Sequence, residues 1–247
     1  MEANCLLRSI FLPSMLFGMS FLVMSCATAR KTGSGDAEFA QTGLVELVKL
    51  DPSLLLDIRY ATQNNFTGKK VYPQARAFLQ KEAALALMRV NATLREQGFC
   101  LKIYDAYRPL SVQKIFWQIM PDPRYVADPK LGSLHNRGMA VDVTLTDIAG
   151  NEVLMPTSYD DFSEKAHRDW KNAPAEAIHH RQILESAMHQ EGFLGIPTEW
   201  WHFDFHGWGK YPVLDIPFPR SLSENGFLLR KTICGLRLRH PRKKCST

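Results

Sequence analysis

The chain has 247 residues, enough for one domain with its own core or for two small ones. Its 45% hydrophobic and 22% charged residues are ordinary for a globular protein and exclude a wholly disordered chain. The formal charge of +5 is uneven. Beyond Pro219 eight Lys or Arg stand against one Glu, so the tail carries about +7 and the remainder is near −2. The body therefore offers no basic face for nucleic acid. The tail, residues 220–247, reads as a solvated extension, with contact to an anionic lipid or polymer as the alternative.

At the N-terminus, Arg8 precedes an apolar run over residues 10–24. That is the layout of a secretory leader, too short and too soon interrupted for a membrane span. The run ends in Val23-Met24-Ser25-Cys26, which resembles a lipobox, with Cys26 as the lipidated first residue of the mature chain. Ala27-Thr28-Ala29 fits an ordinary signal-peptidase site instead. Either reading removes residues 1–26 from the fold and puts the mature protein in the periplasm or cell envelope. It is then anchored to the membrane through Cys26, or soluble after cleavage near Ala29. Residues 27–41 read as a tether, and residues 42–219 as the folded domain. Cys100 lies in an apolar run and reads as a buried thiol. Cys234 and Cys245 are both in the tail, and their pairing is not fixed by sequence. There is no CxxC, which argues against a thiolate zinc site.

Within the domain, residues 44–50 and 54–60 read as short strands separated by Asp51-Pro52, followed by a turn-rich loop over 61–68. The spacing of Ala83, Leu87 and Leu94 predicts a helix over residues 81–97. A strand over 99–104 then opens onto Asp105-Ala106-Tyr107-Arg108-Pro109, and a second helix is expected over 111–120. Residues 141–145 alternate as a strand, with Asp142 and Thr144 on one face. A turn through Gly150 suggests a hairpin with residues 152–155. Ala177, Leu184 and Met188 form the apolar stripe of a helix over 174–191, and residues 200–205 read as a final strand. Helices between strands with at least one hairpin predict an α+β fold in a single domain.

Two stretches carry the chemistry. Residues 133–142, SLHNRGMAVD, set His135 and Asp142 seven residues apart around a turn at Gly138. Residues 198–205, TEWWHFDF, add His202, with Glu199 three residues before it. Two imidazoles and a carboxylate make a three-ligand zinc set with room for water, and a further carboxylate suits a base. This is the residue set of a hydrolytic zinc site. No HExxH occurs, so strands and loops must assemble it. His135, Asp142 and His202 are the expected ligands. Glu199 is expected to take a proton from water and return it to a leaving amine. Residues three apart on a regular strand face opposite sides, so the chain must bend near Glu199. His202, Asp204 and His206 alternate on one strand face and form a competing triplet. His167, His179, His180 and His189 read as surface residues, and Trp200, Trp201 and Trp208 as core or cleft wall. Arg108, restrained by Pro109, suits either oxyanion stabilisation or an ion pair with Asp105.

At these residues the sequence resembles the D-alanyl-D-alanine dipeptidases, the zinc peptidases of vancomycin resistance and peptidoglycan recycling. The resemblance spans residues 42–219 and rests on five blocks in order. They are Tyr60-Ala61-Thr62 with Asn65-Phe66-Thr67-Gly68, Asp105-Ala106-Tyr107-Arg108-Pro109, residues 133–142, Tyr159-Asp160, and Glu199-Trp200-Trp201-His202. It implies one Zn2+ on His135, Asp142 and His202, Glu199 as base, and Arg108 in the transition-state role. It also implies Tyr60, Ser133 and Asp160 in the pocket for free D-Ala-D-Ala, with Asp160 pairing the substrate ammonium. The fold it implies is a small central antiparallel sheet flanked by helices. Two positions depart from the family pattern. Tyr159 stands where Phe is usual, and Pro156-Thr157-Ser158 lacks a glycine often found there. The same metal set would also serve a D,D-carboxypeptidase or endopeptidase on longer wall peptides, or a wall-binding lipoprotein without turnover.

Overall fold

Two apolar runs, β4 (Phe99–Asp105) and β5 (Ala140–Asp147), pair antiparallel and form the spine of the domain. The structure is a computed structural model and describes residues 34–219. The leader, the Cys26 anchor, the first part of the tether, the tail and the Cys234–Cys245 question lie outside the described residues. All described residues fall in one compact unit.

Around the spine, β7 (His202–Phe205) adds antiparallel to the free side of β5, and β6 (Phe193–Gly195) pairs antiparallel with β7. On the far side β2 (Leu55–Leu56) runs parallel to β4. The five-stranded order is β2-β4-β5-β7-β6. The α+β expectation holds. The sheet is antiparallel except at this two-residue edge, which makes it mixed. A separate antiparallel pair joins β1 (Leu44–Glu46) to β3 (Phe78–Gln80).

Helix α3 (Lys81–Glu96) packs on β4, and α5 (Ala175–Gln190) packs on β5 and β6 and against α3. Their inward faces follow the helical period: Ala83, Leu87, Val90 and Leu94 on α3, and Ala177, Leu184 and Met188 on α5, all fully buried. Truncating Leu87 to Ala would cost about 2–5 kcal/mol through lost transfer energy and the cavity left behind. A third helix, α4 (Leu110–Ile119), follows the exit of β4 and buries Val112, Gln113 and Phe116.

Several local expectations are replaced by shorter or different elements. The run 44–50 is a three-residue strand that turns into the four-residue helix α2 (Leu47–Leu50). The run 54–60 is a two-residue strand followed by a 3-10 turn, Arg59–Ala61. The hairpin after Gly150 is reduced to one bridge, Thr146 to Glu152. Helix α1 (Ser34–Ala40) lies in the stretch read as tether, and its Phe39 packs edge-on against Phe78 at 4.8 Å. Cys100 is fully buried but disulfide-bonded rather than a free thiol. His180 is buried, with Nδ1 donating to the Leu154 carbonyl at 2.8 Å, so it is not a surface residue.

Candidate active site

The site sits where β4, β5 and β7 meet. Register brings its residues together: Asp105 on β4 is opposite Asp142 on β5, and Asp142 is opposite His202 on β7. His135 arrives from a 3-10 turn, His135–Arg137, that ends at Gly138 with φ 68°. A Cβ at Gly138 would lie 2.3 Å from Leu44 Cδ2, so the left-handed turn and the close approach both require glycine here. The turn is stitched to the end of β4: Arg108 N donates to the His135 carbonyl at 3.0 Å, and Asn136 Nδ2 to the Arg108 carbonyl at 2.8 Å. The segment before β7 is irregular up to Trp201. That provides the bend needed for Glu199 and His202 to line one cavity.

Three ligand-type atoms converge. His135 Nε2 lies 3.1 Å from His202 Nδ1 and 3.3 Å from Asp142 Oδ1, and His202 Nδ1 lies 3.0 Å from Asp142 Oδ1. The other ring nitrogens are committed. His135 Nδ1 is 2.7 Å from the Ala106 carbonyl, and His202 Nε2 is 2.9 Å from Asp204 Oδ1. The Ala106 carbonyl and the Asp204 carboxylate only accept, so the ring nitrogens donate there. In the neutral tautomers the converging atoms then all carry lone pairs, and they repel unless a cation or an added proton lies among them. A tetrahedral zinc with bonds of ~2.1 Å spaces its ligands by about 3.4 Å. The set therefore fits such an ion with shifts of a few tenths of an ångström. Ala106 and Asp204 are the kind of partners that orient metal-binding imidazoles.

The metal-free electrostatics agree. Burial opposes a charge on His202, but Asp204 and Asp142 outweigh it and raise its pKa well above the usual imidazole value. Burial also pushes Asp142 up, but the imidazoles of His135 and His202 hold it far below the usual carboxylate range. An added proton on His202 thus occupies the place a metal would take. His206 lies outside this constellation. It is exposed and packs beside Phe205 and Gly192, so the competing His202-Asp204-His206 triplet does not form.

Around these atoms is a cavity of about 250 Å³ lined by, among others, Tyr60, Arg108, Ser133, Asp160, Glu199 and Trp201. This is below the roughly 300–1,000 Å³ of drug-sized pockets and suits a small substrate. Glu199 is almost fully buried. Burial pushes its carboxyl up to about 8, aided by Asp142 and Asp160 and opposed by His202 and Arg108. Asp160 is pushed up to about 7 by burial, against hydrogen bonds from Phe66 N at 3.1 Å and Tyr60 OH at 3.0 Å. Its φ of 61° is the one positive value at a non-glycine residue among the described residues. Such strain of roughly 1–3 kcal/mol is typical of side chains held for function.

Arg108 combines both of its sequence readings. Nε and Nη2 donate to Asp105 Oδ2 at 3.0 and 2.7 Å, and Nη1 donates to Gln113 at 2.8 Å. Of five N–H groups, two remain for the cavity, and Nη2 is 3.9 Å from Asp142 Oδ2. Ser133 Oγ accepts from His135 N at 3.2 Å, leaving the hydroxyl proton free to donate. Trp200 and Trp201 are buried, as expected of core or cleft wall, while Trp208 is exposed.

Sequence reasoning did not single out Arg168. Its Nε donates to the Ile196 carbonyl at 2.8 Å and Nη2 to the His202 carbonyl at 2.7 Å, bracing both ends of the segment that carries Glu199. Gly195 makes room, since a Cβ there would lie 2.1 Å from the guanidinium carbon. Burial lowers the guanidinium to about 10. Its Nη1 also lies 3.4 Å from Glu185 Oε1, but no motif marks this arginine, because the two contacts that brace the Glu199 segment are to backbone carbonyls that any residue could supply.

A mixed sheet presenting a His-Asp-His set beside a buried glutamate defines the class as a metallopeptidase. The chain belongs to the peptidase M15 family of D-Ala-D-Ala dipeptidases, whose model matches residues 40–220. It is 42% identical over 182 residues to the D-alanyl-D-alanine dipeptidase of Escherichia coli, covering 74% of this chain and 94% of that one. It is 29% identical over 203 residues to the D-alanyl-D-alanine dipeptidase of Enterococcus faecalis, covering 72% and 95%. Among solved structures, the vancomycin-resistance D,D-dipeptidase VanXYg with a D-Ala-D-Ala phosphinate analogue aligns at a TM-score of 0.36. The identity is 18%, over 67% of each chain.

Proposed function

We propose that the protein hydrolyses the free dipeptide D-Ala-D-Ala to two D-alanines, with one Zn2+ held by His135, Asp142 and His202. The observation that carries this reading is the meeting of three lone-pair donors beside a buried glutamate, in a small cavity that also holds a buried aspartate. When bound, zinc supplies Lewis acidity, polarising the scissile carbonyl and acidifying water. Glu199 takes a proton from the attacking water and passes it to the leaving amine. The two spare N–H groups of Arg108 face the oxygen on which charge develops. Asp160 receives the substrate ammonium, with Tyr60 and Ser133 lining the pocket. A buried carboxylate opposite a free amine rejects N-blocked peptides, which would leave its charge unpaired. This favours the dipeptide over longer wall peptides. The leader at residues 1–26 supports export to the envelope, with Cys26 as the lipid anchor.

Asp160→Asn tests the pocket assignment. It should raise KM for free D-Ala-D-Ala at least 10-fold and shrink the preference over N-acetyl-D-Ala-D-Ala. An unchanged preference would remove Asp160 from amine recognition.

A further inference from the structure

Between the metal set and Asp160 runs a chain of hydroxyls that the mechanism above does not use. Asp142 presents Oδ1 to the two imidazoles, and its other oxygen, Oδ2, accepts from Tyr159 OH at 2.8 Å. Tyr159 OH is 3.2 Å from Tyr60 OH, and Tyr60 OH donates to Asp160 Oδ1 at 3.0 Å. Both tyrosines are buried, and both rings are wedged. Tyr159 stacks on Tyr104 with centroids 4.5 Å apart and meets Trp201 edge-on at 5.4 Å. Tyr60 packs on Phe116 at 4.5 Å and Tyr72 at 5.7 Å.

Tyr159 and Asp160 are consecutive, yet both side chains reach into the same pocket. Neighbours in extended backbone point to opposite sides, and the left-handed backbone at Asp160, φ 61°, is what turns both inward. Tyr159 also borders a second cavity of about 460 Å³, lined by Arg59, Tyr104, Glu152 and Trp200 among others. Tyr159 is thus common to the linings of that cavity and the catalytic pocket.

We propose that Tyr159 is a positioning residue whose hydroxyl fixes the metal-side carboxylate Asp142 while Tyr60, packed beside it, fixes the amine-side carboxylate Asp160 with its own proton, so that the two wedged tyrosines hold the carboxylates at one separation and make the pocket a ruler for a dipeptide. The proposal rests on the dipeptidase reading for the ruler, but the hold on Asp142 stands without it. Asp142 is buried, and without the Tyr159 hydroxyl its Oδ2 keeps only the 3.9 Å ion pair to Arg108, so the carboxylate is freer to rotate away from the imidazoles. Losing such an outer partner typically costs 10–100-fold in metal affinity.

The test uses the full chain loaded with zinc and two variants that each remove one oxygen. Tyr159→Phe keeps the ring stacking. It should weaken zinc at least 10-fold in competition with a chromophoric chelator, and raise KM for free D-Ala-D-Ala when zinc is saturating. Tyr60→Phe should leave zinc affinity within two-fold of the unmodified chain and raise only KM. Thermal midpoints of the metal-free proteins separate lost metal from lost fold. Wild-type zinc affinity in Tyr159→Phe overturns the proposal, as does equal zinc loss in Tyr60→Phe. If Tyr159→Phe is less stable, zinc titration at a temperature well below its metal-free midpoint decides. Failure of the unmodified chain to cleave free D-Ala-D-Ala would instead overturn the dipeptidase reading, and the zinc titrations would still report on Tyr159.

Discussion

In the proposed mechanism the chemistry turns on Glu199. Among the described residues it forms no ion pair within 4 Å, and burial, aided by Asp142 and Asp160 against His202 and Arg108, holds its carboxyl up near 8 in the metal-free fold. A dication on the His-Asp-His set would pull that value down, favouring the carboxylate form that a general base needs. Glu199→Gln keeps shape and hydrogen bonding but not basicity. It should lower kcat by about 10³-fold with zinc content unchanged, measured by metal analysis beside steady-state rates. The titrations also shape stability. Glu199 and Asp160 have folded values raised above their unfolded 4.5 and 3.8, so the metal-free fold binds more protons than the unfolded chain between those limits. Their stabilisation is present at low pH and lost as pH rises through about 7 and 8. His202, raised above 6.5, acts in the same direction. Asp142, depressed, loses its contribution only below about 4. Metal-free protein should therefore become less stable in urea from pH 5 to pH 9, and zinc should rescue it most at the alkaline end. A metal-free protein that gains stability over that range would contradict these assignments.

At the scale of elements, what the sequence made legible were long periodic or strongly punctuated segments. Helices α3 and α5 fall within a residue or two of their expected bounds, because four or five turns of repeated apolar spacing leave no other reading. Strands β4, β5 and β7 were marked by their apolar runs, and with them the positions of Asp142 and His202. The three-residue strands β3 and β6 were not, since so short a stretch carries no periodicity. Tyr159 stood out only as a departure from the usual Phe, and its contact with Asp142 was hidden for a different reason. Alternation puts neighbours on opposite sides, and only the positive φ at Asp160 reverses this. Of the site, the metal set and Glu199 followed from the residues themselves, whereas Tyr60, Ser133 and Asp160 came from family resemblance. Arg168 and Gly195 were invisible because a brace on backbone carbonyls leaves no side-chain signature. They are testable as a unit. Gly195→Ala places a methyl 2.1 Å from the Arg168 guanidinium carbon. It should destabilise the fold by about 1–3 kcal/mol and lower kcat by displacing the Glu199 segment. Adding Arg168→Ala should relieve the overlap without restoring kcat. Parent kcat in Gly195→Ala would show that Glu199 does not depend on the brace.

Across the whole molecule, one sheet carries both halves of the reaction. Its central strands set Asp142 against His202, and the loops at that end bring His135, Arg108, Asp160 and Glu199 to one small cavity. Zinc on the His-Asp-His set would tie the ends of β5 and β7 together, so chelation should lower the thermal midpoint as well as abolish turnover. In the proposed function this cavity admits a free dipeptide and rejects a blocked one. The most direct measurement is kcat/KM of the zinc-loaded full chain on free and N-acetylated D-Ala-D-Ala, with matched chelator controls. The expected result is chelator-sensitive cleavage of the free dipeptide, at least 100-fold faster than of the acetylated one. Equal rates on the two, or cleavage that survives removal of zinc, would contradict it.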